Sequence, residues 1–221
     1  MNAGWLLTFA ALGAAVAALV NWGADVLPPG GRHARPSLWA RDRGSLVLQR
    51  HALVTIACLA GVPLLAVATG EYGRALWLAG WGAVFLLIAV IDLEHRLVLN
   101  SVLIAAALVS LAASLAGVPM APAPLEALLG CLVGLLLFAV VAALGRGAMG
   151  AGDVKLAAVI GLIVGYPQVL SALLAGVLFG GLAAVVALLR GLGRKAAIPY
   201  APWLVAGAMV ALLQAAVRVP L

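Results

Sequence analysis

Long apolar runs alternate with short polar breaks along the whole chain, and most runs suit a helix that crosses a bilayer. Breaks at charge, Pro or Gly divide the chain into eight candidate spans: 4–20, 47–69, 75–91, 97–116, 125–144, 154–165, 168–189 and 201–217. A crossing needs about 20 predominantly apolar residues. The sixth run is short by that measure, so it is expected either to tilt or to continue past Tyr166 and Pro167. The pattern predicts an all-α, polytopic membrane protein of about eight transmembrane helices. It also predicts one membrane-embedded domain over 1–221 and no internal repeat.

Composition strengthens this picture. Of the 221 residues, 66% are hydrophobic and 9% charged, and the mean hydropathy is +1.22. Soluble domains run at about 45–50% apolar and about 25% charged, so water is not the solvent for most of this surface. The 26 glycines fall mostly inside the spans, where small residues let helices approach closely. The first run lacks the basic segment of a secretory signal and is expected to stay in place as a helix. Cys58 and Cys131 each lie within an apolar run, with no C-x-x-C spacing. They are expected to be small buried hydrophobes, with no metal site and no redox motif.

Charge then tests the number of spans. Eight passes put the connections 21–46, 92–96, 145–155 and 190–200 on one side. That side collects Arg32, Arg35, Arg41, Arg43 and Arg50, then Arg96, Arg146 and Lys155, then Arg190, Arg194 and Lys195. The other side receives only Arg74 and Arg218 of the 13 Lys and Arg. Such an excess marks the cytoplasmic face. The sequence pI of about 10.2 is thereby explained by topology, and no nucleic-acid partner is expected. The Pro/Gly/Arg-rich stretch 21–46 reads as a basic tether on anionic headgroups, worth about 1 kcal/mol per basic side chain near the surface.

Against this background the seven acids stand out. Asp92 follows the apolar run A-V-F-L-L-I-A-V-I and closes the third span. Asp153, in G-A-G-D-V-K, opens the sixth. The predicted topology brings both to the same face. An ionisable residue at a membrane segment is costly and marks a functional site by default. Gly150 and Gly152 flank Asp153: Gly152 is expected to allow backbone angles closed to other residues, and Gly150 to let a helix or peptide approach. Simpler roles also fit these residues. Asp153 suits a helix cap, Lys155 snorkelling to headgroups, and Asp92 an i,i+4 contact with Arg96. Glu94, His95 and Arg96 read as a solvated turn.

Two carboxyls that share a site cannot both ionise cheaply, so such a pair holds one proton. The charged member takes a proton from water, and the protonated member donates to the carbonyl or the leaving amine. That is amide hydrolysis with neither a covalent intermediate nor a metal. No Ser-His-Asp order is present, and the cysteines are badly placed as nucleophiles.

These residues resemble those of the prepilin peptidases, polytopic aspartyl proteases of the G-x-G-D type. The resemblance rests on Gly150-Ala151-Gly152-Asp153 with Lys155, on Asp92 and its D-L-E-H-R-L continuation, and on Ile198-Pro199-Tyr200-Ala201-Pro202-Trp203. Asn21 through Pro28 adds a weaker element. It implies catalytic roles for Asp92 and Asp153, and a site shaped by Gly150, Gly152 and Lys155. It further implies a prepilin or pseudopilin substrate whose basic leader is cut at the cytoplasmic face of a prokaryotic inner membrane. No cofactor is implied. The stretch 21–46 has no cysteine, whereas many bacterial members carry paired C-x-x-C motifs there. Metal binding and the N-methyltransferase activity associated with that insert are therefore not carried over. Leu99-Asn100 stands where the family usually has Pro-Asp or Pro-Asn. The other classes that such acids suit are a transporter or proton pathway, and a catalytically silent scaffold.

Overall fold

The computed structural model describes residues 3–28, 43–145, 149–191 and 199–218. Eight helices follow one another: α1 Ala3–Val26, α2 Arg43–Thr69, α3 Tyr72–His95, α4 Asn100–Leu115, α5 Pro124–Leu144, α6 Ala151–Val164, α7 Gln168–Leu189 and α8 Ala201–Arg218. No strand occurs among the described residues. The chain is a multi-pass membrane protein. Five helices (α1, α2, α3, α5 and α7) are long and apolar enough to cross a membrane, and α4 and α8 are shorter apolar helices. Large side chains exposed along α5 and α7, such as Leu128, Leu132 and Leu136, or Leu174, Leu178 and Leu182, are at home in lipid. Arg32, Arg35, Arg41, Arg146, Arg194, Lys195 and Ile198, named above for topology and motif, lie outside the described residues.

The helices fall into two compact units: 1–96 with 216–221, and 97–215. In the first, Phe9, Val62, Ala66, Ala75 and Ala79 form a buried cluster flanked by Trp5 and Leu12. The ring of Phe9 meets Trp5 at 5.1 Å and Tyr72 at 4.9 Å between centroids. Gly13 brings α1 onto α2, since a Cβ there would lie 2.6 Å from the Cys58 carbonyl oxygen. The first helix continues to Val26 rather than stopping near residue 20. Asn21 and Asp25 are therefore helical, and Asn21 is buried.

In the second unit, α5 and α6 pack antiparallel at backbone contact. A methyl group at Gly130 would run into the Gly161 carbonyl, and one at Gly134 into the Ala157 carbonyl. Lipid tails are as apolar as leucine, so this approach stabilises through close packing rather than hydrophobic burial. The α6 helix has 14 residues, about 21 Å at 1.5 Å per residue, less than the hydrocarbon core. Most of it from Leu156 to Val164 is buried. It does not continue past Tyr166. Gly165 has φ +78°, a conformation that ends a helix and suits glycine. The Ser110 hydroxyl of α4 donates to the Leu162 carbonyl of α6 at 3.0 Å. Between α7 and α8, Gly176 meets Leu204 and Gly207 meets the Ala172 carbonyl.

Candidate active site

Asp92 lies in the last turn of α3, in the first unit, with a relative exposure of 5%. Its neighbours Ile88, Val90 and Ile91 are buried too. The helix stops three residues later because Arg96 turns left-handed (φ 53°, ψ 44°). There its backbone N–H donates to the Asp92 carbonyl oxygen at 2.8 Å. This is unusual geometry for a residue with a side chain.

Glu94 is not simply a solvated turn residue, as the sequence suggested. The Arg50 guanidinium donates to Glu94 Oε2 at 2.8 Å and to Asp25 Oδ1 at 2.6 Å. One cation thus ties α1, α2 and α3 together. Its side chain is 10% exposed, against 24% for Asp25 and 25% for Glu94. His51 stands 3.3 Å from Asp25, and His95 stands 3.8 Å from Glu94. The three carbons of the Arg50 stem and its two-sided fork suit this bridging role. Sequence reasoning assigned Arg50 only to a membrane face; its location before an apolar run offered no hint of two acidic partners.

In the second unit Gly150 is the N-cap of α6, with extended backbone (φ −72°, ψ 144°) and no side-chain cap bond. Asp153 is therefore three positions into the helix, not its cap. Its N–H donates to the Gly150 carbonyl at 3.1 Å. A carboxylate in this first turn is favoured by the helix dipole, typically by about 0.3–1 kcal/mol.

Of the two glycines, Gly152 acts differently from the expectation, since it is helical and needs no unusual angles. Gly150 has angles open to any residue, and a Cβ there would meet Asp153 Oδ2 only at 3.6 Å. Gly152 matters for space: a Cβ there would lie 3.0 Å from Val98 Cβ. Glycine thus seats the segment before α4 against the start of α6. Lys155 takes a specific partner, donating from Nζ to Asn100 Oδ1 at 3.1 Å. This bond joins the first turns of α4 and α6 through Asn100.

Tyr200, just before α8, lies within electrostatic reach of Asp153. Burial pushes its phenol above the usual tyrosine range, and the nearby Asp153 charge pushes it further. Its Pro-Tyr-Ala-Pro setting was the only signal in the sequence. Gly150, Gly152, Asp153, Lys155 and Tyr200 thus belong to the second unit, and Asp92 to the first. Among the described residues no group of three His, Cys, Asp or Glu side chains is arranged to hold a metal ion.

Comparison with known proteins adds an independent line. Residues 79–185 match the type IV leader peptidase family, and the matched segment includes both aspartates. The prepilin leader peptidase/N-methyltransferase of Bacillus subtilis (strain 168) is 35% identical over 136 residues, which make up 59% of this chain and 52% of that protein. The match thus spans about half the length of that curated relative. No solved structure is similar.

Proposed function

We propose that this chain is a membrane aspartic endopeptidase that removes the leader of type IV prepilins or related pseudopilins at the cytoplasmic face. Asp92 and Asp153 are its acid/base pair. The observation that carries this reading is the family match over 79–185, which spans both acids and the glycines before the second. The whole chain then works as one peptidase domain in the lipid bilayer, and the excess of Lys and Arg on one side supports the cytoplasmic assignment.

The pair shares one proton. The charged member takes a proton from the attacking water, the protonated member gives its proton to the departing amine, and the proton gained in the first step resets the pair for the next turnover. Because the carboxyls interact, the pH dependence of cleavage belongs to the pair and not to either residue. Gly152 and the Lys155–Asn100 bond hold the Asp153 turn in place, and Gly150 leaves room beside the carboxylate for an extended peptide.

Co-expression with a prepilin-like substrate tests this. The unaltered protein converts the substrate to the faster-migrating mature form. Asp92→Asn and Asp153→Asn each abolish conversion while both proteins accumulate in the membrane. Full conversion by either variant contradicts the acid/base pair.

A further inference from the structure

The Pro-Tyr-Ala-Pro segment at the start of α8 has no part in the chemistry so far, yet the register of the second unit brings it to the level of Asp153. In the α5–α6 pair, Gly130 faces Gly161 and Gly134 faces Ala157. One further helical turn along each, in opposite directions, brings Phe138 level with Asp153. The α7–α8 pair has its own register: Ala172 faces Gly207, Gly176 faces Leu204 and Gly180 faces Tyr200. The two registers meet in one ring contact, Phe138 to Tyr200, with centroids 6.4 Å apart.

The phenol ring is held on both flanks. A Cβ at Gly180 would lie 2.7 Å from Tyr200 Cε2, so only glycine leaves the notch in which the ring sits. Phe138, itself buried at 3% exposure, supports the ring from α5. Tyr200 and Asp153 are both half-buried. A side chain fixed this way loses little freedom on making one more contact, which suits it to orient a catalytic group.

We infer that Tyr200 is a positioning residue for Asp153, its hydroxyl steering the carboxylate toward the attacking water while Gly180 and Phe138 hold the ring. This rests on the peptidase reading above. The phenol stays protonated through the neutral range, since burial and the Asp153 charge both disfavour its ionisation. It therefore remains a donor whenever Asp153 is charged. A donor to a charged acceptor makes the stronger kind of hydrogen bond.

The test is Tyr200→Phe, which keeps the ring in its notch and removes only the oxygen. Leader cleavage is measured in detergent micelles with purified full-length protein and a synthetic prepilin-like peptide. The inference predicts that kcat falls about tenfold, as expected for one hydrogen bond to a charged group, while KM and thermal stability stay unchanged. A merely structural tyrosine moves neither parameter in the Phe variant. An unchanged kcat therefore overturns the inference, and so does a loss confined to KM. If the unaltered protein fails to cleave, the peptidase reading falls first, and this assignment with it.

Discussion

A single methyl group separates Gly152 from steric conflict, and this sets the first prediction. Gly152→Ala places a Cβ at 3.0 Å from Val98 Cβ, an overlap that costs about 1 kcal/mol when the neighbour yields. The expected outcome is a lower melting temperature in detergent and slower cleavage, because the Asp153 turn shifts with its neighbour. Val98→Gly in the same protein removes that Cβ and restores most of both. If the double variant is as impaired as Gly152→Ala alone, crowding at Val98 is not the cause. The two aspartates were legible in the sequence because acids are so scarce, and the glycines because they cluster at Asp153. The physical reason for Gly152 was not legible. Glycine suggests backbone freedom first, and a close approach by a residue 54 positions earlier leaves no local trace. Tyr200 was visible as part of a Pro-bracketed motif, but its company with Phe138 and Gly180 is a product of helix register.

Helices carry two further predictions. The α5–α6 pair packs at backbone contact through Gly130, Gly134, Ala157 and Gly161. Gly161→Ala separates them and is expected to cost about 1–3 kcal/mol, read as a drop in melting temperature with the helix content of the folded protein unchanged. No drop contradicts the close packing. In the first unit, Arg50→Ala leaves Asp25 and Glu94 without their shared cation. Losing one side of a buried ion pair costs about 3–5 kcal/mol. The lower end is expected here because both carboxylates keep about a quarter of their exposure. Neutralising both acids together with Arg50 should recover part of that loss, and stability equal to the unaltered protein in Arg50→Ala alone would refute the bridge. The helices themselves were mostly legible to within a few residues, since apolar runs and Pro or Gly breaks fix where a membrane helix starts and stops. The exceptions are physical. The first helix runs on to Val26 and α3 to His95, and these added turns carry Asp25 and Glu94, which meet Arg50.

In a background with Cys58 and Cys131 replaced by Ala, Arg96→Cys should react with a membrane-impermeant maleimide only in inside-out vesicles. Glu71→Cys should react only in right-side-out ones. The reverse pattern, or labelling of both from one side, contradicts the orientation read from Lys and Arg. The central claim is that Asp92 and Asp153, 61 positions apart in the chain, act as one site. The most direct measurement replaces both with cysteine in the same background and asks whether the thiols join, by oxidation or through the shortest bismethanethiosulfonate, in native membranes. The account predicts a bridged product that forms within one chain and is lost when either cysteine is absent. Two thiols that each react with a monofunctional reagent, yet are never bridged, would contradict it.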